Sequence, residues 1–185
     1  MADGHNFWQG PLVRLRAIEP EDVTHFLRWN EDSERGRMLD FLWPPQSADS
    51  VRRWVDEQVR RRGENDEYHW IIERSNPRQA IGSLATHHCS RRDGVFSYGL
   101  DIERDQRRHG FAAAAVQLVL RYYFGELRYQ KCSVCVHGDN PASLALHQSL
   151  GFQPEGVQRR MLYTNGGYVD LHWWGLTMEE WAQSV

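Results

Sequence analysis

Apolar and polar positions alternate along Leu12-Val13-Arg14-Leu15-Arg16, the period of two that a half-buried strand shows. The period then lengthens. Glu19-Pro20-Glu21-Asp22 opens a helix with Val23, Phe26 and Leu27 at core spacing, and Ser47 caps a second whose Val51, Trp54, Val55 and Val59 repeat at helical spacing. Between them residues 30–46 follow no period; they hold Glu31, Asp32, Glu34 and Asp40 beside Phe41, Leu42 and Trp43, and end in Pro44-Pro45. Residues 68–73 and 79–85 read as a hairpin about the turn Ser75-Asn76-Pro77-Arg78. A second turn, Arg91-Arg92-Asp93-Gly94, leads into a strand over 95–102 with Phe96, Tyr98, Leu100 and Ile102 on one face. Helices over 111–124 and 140–150 enclose a strand over 129–137, and a meander near 157–163 and 168–177 closes about Thr164-Asn165-Gly166-Gly167. The pattern predicts one mixed α/β domain over residues 1–185, with no repeat, low-complexity tract or linker.

Composition narrows the class. At 185 residues the chain is long enough to bury a core without metals or crosslinks, and its 41% hydrophobic content sits near the globular norm. A net charge of −3 gives no hint of bulk nucleic-acid affinity. The three cysteines, Cys89, Cys132 and Cys135, are an odd number, and no apolar leader follows Met1, so a reducing, cytoplasmic setting without membrane attachment is expected. Cys132-x-x-Cys135 lies in an alternating strand, where residues three apart face opposite sides, and no second cysteine pair completes a tetrahedral metal site.

One stretch carries candidate chemistry. In Asp105-Gln106-Arg107-Arg108-His109-Gly110-Phe111-Ala112 a strand runs out, basic residues cluster, and an apolar helix begins. The start of such a helix collects unpaired N–H groups and about half a positive charge, which suits an anion. Gly110 and Ala112 put no bulk between backbone and ligand, while Arg107 and Arg108 add forked donors, so a diphosphate would fit. There is no Gly-Lys-Ser/Thr for a nucleoside triphosphatase loop, nor the third glycine and acidic partner of a dinucleotide fold.

The stretch does fit Arg-x-x-Gly-x-Ala and resembles the acyl-CoA pyrophosphate loop of the GNAT N-acetyltransferases. A second segment lies one strand and one helix later, where the same family needs it: Asn140-Pro141-Ala142-Ser143-Leu144-Ala145-Leu146-His147-Gln148-Ser149-Leu150-Gly151-Phe152. It places Asn, a small residue three on, an acid-capable residue seven on, and Gly-Phe after that. With Tyr168-Val169-Asp170-Leu171-His172-Trp173-Trp174 and Glu180-Trp181, nearly the whole chain is similar to the ribosomal-protein N-terminal acetyltransferase branch. The resemblance implies a mostly antiparallel central sheet, splayed near its middle and flanked by helices. Gly99 suits the bulge that admits the pantetheine arm in the family, or is a plain strand glycine. Acetyl-CoA as cosubstrate would then meet Leu100, Ile102, Arg107, Arg108, His109, Gly110, Phe111, Ala112, Asn140 and Ser143.

Acetyl transfer needs an unprotonated amine, donors for the thioester oxygen and a proton for the departing thiolate. A backbone N–H on the strand ending at Ile102 is a candidate for the oxygen. His147, where many of the family carry tyrosine, is the first candidate for the acid and Ser143 the second; a histidine that merely packs in the core is the bland reading. Glu103 is the first candidate base, ahead of Asp101 and His88, against the reading that it only offsets Arg104, Arg107 and Arg108. By the same resemblance residues 30–46 help wall the acceptor site. Their acidic residues favour a cationic amine, whether a protein N-terminus or a small molecule. A homodimer is left open. The rival readings are a non-catalytic acyl-CoA-binding or regulatory protein on the same fold and, more remotely, a nucleic-acid binder using the loop arginines.

Overall fold

The computed structural model describes residues 6–39, 41–61 and 63–184; Met1 and Asp40 of the acidic run lie outside them. Among the described residues seven strands, β1 (Val13–Ala17), β2 (His69–Ser75), β3 (Arg78–Ser90), β4 (Val95–Ile102), β5 (Lys131–His137), β6 (Gln153–Thr164) and β7 (Gly167–Thr177), hydrogen-bond in the order β1-β2-β3-β4-β5-β7-β6. They alternate with α1 (Val23–Asn30), α2 (Ser33–Leu39), α3 (Ala48–Arg60), α4 (Phe111–Gly125), α5 (Pro141–Ser149) and α6 (Met178–Ser184). The fold is mixed α/β on a mostly antiparallel sheet, as the hydrophobic pattern predicts. No helix among the described residues is long and apolar enough to cross a membrane. Two compact units emerge, one from 1–86 with 99–119, the other from 87–98 with 120–185.

In the first unit β1 pairs with β2 and β2 with β3, both antiparallel. Helical spacing aims Phe26 and Trp29 of α1 and Val51 and Val55 of α3 at Ile71 and Ala80 of the sheet, with Ile18 completing the cluster. The predicted cap of α3 forms, the Ser47 hydroxyl accepting the Ser50 N–H at 3.1 Å. Val59, the last of the expected stripe, is exposed because the helix ends one residue later.

The run 30–46 departs from its aperiodic reading, since Ser33–Leu39 within it is a helix. Asp32 starts α2 by accepting the N–H groups of Glu34 and Arg35 on Oδ1, both at 3.1 Å. Arg35, 8% exposed, then anchors it by pairing with the buried carboxylate of Asp101 on β4. That carboxylate also accepts the Ser83 hydroxyl at 3.0 Å, and the Arg35 guanidinium lies 5.1 Å from the Trp29 ring centroid. Gly82 lets this part of β3 come close, as a Cβ there would collide with the Asp101 carbonyl.

In the second unit β4 joins β5 in parallel through two pairs, Val95↔Lys131 and Phe96↔Cys132, and β5 continues antiparallel onto β7 and β7 onto β6. Phe96 stacks on Tyr123 of α4 at 4.0 Å with Tyr129 edge-on at 5.7 Å. Cys132 is buried and Cys135 exposed, so the CxxC pair faces opposite sides of its strand. β6 begins at Gln153, earlier than its hydrophobic pattern suggests, because Gln153 and Pro154 already pair with Gly175 and Trp174. The first turn of α6 closes through a reciprocal cap between Thr177 and Glu180 at 2.8 and 3.2 Å.

Two measurements test the first unit. Phe26 and Trp54 stand edge-on to His69 at 6.1 and 5.4 Å. Burial, then the charges of Arg61 and Arg35, push the His69 pKa from 6.5 down to about 4. A ring held neutral when folded but free to charge when unfolded contributes stability above pH 6.5 that is lost as pH falls toward 4, at most about 3 kcal/mol. Urea midpoints should therefore drop over that window, and His69→Phe should flatten the drop; an unchanged profile refutes the assignment. Asp101→Asn should cost about 3 kcal/mol by leaving Arg35 charged and buried, and adding Arg35→Met should recover most of it.

Candidate active site

The first unit holds the predicted anion loop. After β4 the chain makes a 3-10 turn at Arg104–Gln106, and Arg108 and Gly110 take positive φ of 66° and 78° before α4 starts at Phe111. The first helical bond of α4 is Ala114 N–H to the Gly110 carbonyl, at 3.0 Å. The N–H groups of Phe111, Ala112 and Ala113 therefore have no acceptor within the helix and face forward from its start. A Cβ at Gly110 would find only the Leu12 Cδ1 within 4 Å, at 3.5 Å, so the space beside this backbone is open. Open backbone donors beside a left-handed glycine fit a diphosphate.

The side chains of the loop are less available than their sequence suggests. Arg107 turns back, its Nε donating to the Ile102 carbonyl at 3.0 Å and its guanidinium lying 3.6 Å from Glu34. His109 donates its Nδ1–H to the Gln106 carbonyl, 3.2 Å away, and stacks on Phe111 at 5.6 Å. Arg104 bridges Asp32 at 3.1 Å and Glu34 at 2.8 Å. Desolvation raises the Asp32 pKa, but the Arg35 N–H and Arg104 outweigh it and hold the carboxyl below its usual range. These pairs offset the negative charge on which the expected acidic acceptor wall rested.

Glu103, the expected base, lies 12% exposed at the end of β4, pairs with Arg28 and accepts the Trp29 indole N–H at 2.5 Å, all on Oε1. Asp101 is committed to Arg35 and Ser83, as above. Leu100 is partly buried and Ile102 buried on the same strand, where the Ile102 carbonyl is taken by Arg107. His88, in the second unit, sits exposed at positive φ with Nδ1 3.2 Å from that of His87.

In the second unit Asn140 caps α5, its Oδ1 accepting the Ser143 N–H at 3.0 Å, with Pro141 at the first helical position. One turn on, the His147 ring stacks against Tyr98 at 5.8 Å, meets Phe152 edge-on at 5.1 Å and is 4% exposed. Its Nδ1 lies 2.8 Å from the Ser143 carbonyl, an acceptor only, so Nδ1 carries the hydrogen and Nε2 is a bare acceptor sealed in the core. Burial lowers the His147 pKa, opposed by the bond to the Ser143 carbonyl, and the ring is neutral at pH 7. The Ser143 hydroxyl lies 3.4 Å from Nδ1 and is the more exposed of the two. Tyr98 escaped the sequence reading as a site residue. Its placement on the buried face of β4 was legible there, but not that it covers His147.

The family model for the acetyltransferase (GNAT) domain matches residues 13–153. The chain is 39% identical over 174 residues to the SPbeta prophage-derived uncharacterized N-acetyltransferase YokL of Bacillus subtilis (strain 168), covering 94% of each chain. It is 26% identical, over 91% of its length and 93% of the other, to YdaF of the same organism, provisionally named a ribosomal N-acetyltransferase. Its fold matches the spermidine N-acetyltransferase from Vibrio cholerae, solved in complex with CoA and spermine, with a TM-score of 0.80 at 20% identity over 92% and 98% of the two chains.

Proposed function

The chain belongs to the GNAT N-acetyltransferases, enzymes that depend on acetyl-CoA, and we propose that it moves the acetyl group directly onto a primary amine, either a protein N-terminus or a small cationic amine. The turn that opens α4 carries this reading, since Gly110 at φ 78° exposes consecutive helix-start amides beside open space. The family match spans residues from both units, which supports treating 1–185 as one acetyltransferase domain. A cytoplasmic setting and a homodimer remain part of the proposal.

Acetyl-CoA supplies an acyl thioester, open to attack by an unprotonated amine with loss of a thiol. The amides of Phe111, Ala112 and Ala113 hold its diphosphate, with Arg107, Arg108 and His109 around them. Leu100 and Ile102 offer backbone groups to the pantetheine arm, and Asn140 retains its Nδ2 donors because only Oδ1 serves the cap. Ser143 and His147 divide the thiol-side work. A neutral His147 has no proton to give at Nε2, and because its Nδ1–H is taken by the Ser143 carbonyl it offers the Ser143 hydroxyl no acceptor, so that hydroxyl donates a hydrogen bond outward to sulfur while the departing thiolate takes its proton from solvent. Glu103 receives the amine proton, directly or through a water, on Oε2, the oxygen that Arg28 and Trp29 leave open. A protein alpha-amine suits the charge-balanced α2 region better than a polycation does.

Coenzyme A should bind the purified protein calorimetrically, and Gly110→Val, which forces a branched side chain into left-handed backbone at a cost of about 1–2 kcal/mol, should abolish binding while the fold persists. Thioester consumption across a panel of amines and peptides, read by mass spectrometry, separates an enzyme from a non-catalytic binder. Ser143→Ala should lower turnover about 10²-fold, His147→Phe less, and the double variant no further than Ser143→Ala. The reverse order would return the proton-donor role to His147.

A further inference from the structure

Glu34 and the cofactor loop draw on the same guanidinium. Arg107 sits between the carbonyl of Ile102, at 3.0 Å, and the carboxylate of Glu34, at 3.6 Å, and its side chain is 35% exposed. It is three residues before Gly110, whose turn releases the open amides of α4. Its contact with Glu34 is the longest of the ion pairs around α2, and Glu34 has a shorter one, to Arg104 at 2.8 Å. Glu34 is thus satisfied without Arg107, whereas a diphosphate at the loop would offer Arg107 a stronger, doubly charged partner.

We propose that Glu34 is a positioning residue that restrains Arg107 away from the loop, and that binding of the diphosphate moiety transfers Arg107 from Glu34 to the ligand. This rests on the acetyl-CoA reading above. The restraint is weak by construction. Both side chains are more than a third exposed, and exposed pairs of this length contribute little. It taxes cofactor affinity without blocking it. Release leaves α2 in place, since its start is held by Asp32 and its middle by Arg35 on Asp101. What changes is the carboxylate of Glu34, which after transfer has Arg104 alone as its partner and gains net negative character only once the cofactor is bound. Filling of the cofactor loop is thereby coupled to the charge that α2 presents.

The coupling is measurable by coenzyme A calorimetry on four proteins: wild type, Glu34→Gln, Arg107→Gln and the double variant. Glu34→Gln should tighten coenzyme A binding about 2- to 5-fold, the scale of an exposed ion pair. In the Arg107→Gln background the same change should have no effect. Glu34→Asp separates contact from long-range charge, because it keeps the charge and shortens the reach; it should tighten binding as Glu34→Gln does. Equal effects of Glu34→Gln in both backgrounds, or a wild-type affinity for Glu34→Asp, overturn the proposal while leaving the acetyltransferase reading intact. Absence of coenzyme A binding by the wild type overturns both.

Discussion

Asp101 is a carboxylate closed off from water whose charge is met by Arg35 and whose remaining lone pairs take the Ser83 hydroxyl. A buried charge without its partner costs several kcal/mol, so Arg35 has one place to go, and the helix that carries it follows. With Arg35 seated over Trp29, the start of α2 brings Asp32 and Glu34 within reach of Arg104 and Arg107. With Trp29 seated, its indole N–H meets Glu103 beside Arg28. The groups that surround the end of β4 are therefore set by one pairing in low dielectric, and the surface pairs arrange themselves on top of it.

This ordering argues against reading the arginines near the α4 loop as an indiscriminate anion trap. Arg104 and Arg107 are engaged by acidic side chains from 32 and 34, which reduces the positive field that a polyanion would feel at a distance. The loop's open amides act over hydrogen-bond distances only and have fixed directions. On the proposed reading, recognition there is by shape and close contact. That favours a compact diphosphate over the extended backbone of a nucleic acid, whose affinity derives chiefly from summed phosphate charge.

Local chemistry made part of this readable in the sequence. Asn140 with Pro141, Ser47 before an amphipathic run, and Gly110 ahead of small residues are each decided by backbone sterics or by a bond spanning three residues, so their signals are short and complete. The helix α2 is the counter-case. Its cap, Asp32, was in view, but the run lacks an apolar stripe because the residue it buries is Arg35, and Arg35 is buried only because Asp101 waits 66 positions away. The pairing of Asp32 and Glu34 was out of view for the same reason: their partners Arg104 and Arg107 are remote in sequence.

His147 shows the limit from the other side. Position seven of the α5 motif marked the residue, and a free imidazole near neutral pKa made it a reasonable proton donor. What a sequence does not carry is which ring nitrogen holds the hydrogen. That depends on the Ser143 carbonyl one turn back, which takes Nδ1–H, and on Tyr98 and Phe152, whose rings exclude the water that would stabilise an imidazolium. Both influences act together on the same proton, one fixing the tautomer and the other the charge. On the reading proposed above, a histidine so held is a rigid support rather than the acid, and the neighbouring Ser143 hydroxyl is the group with a hydrogen to offer.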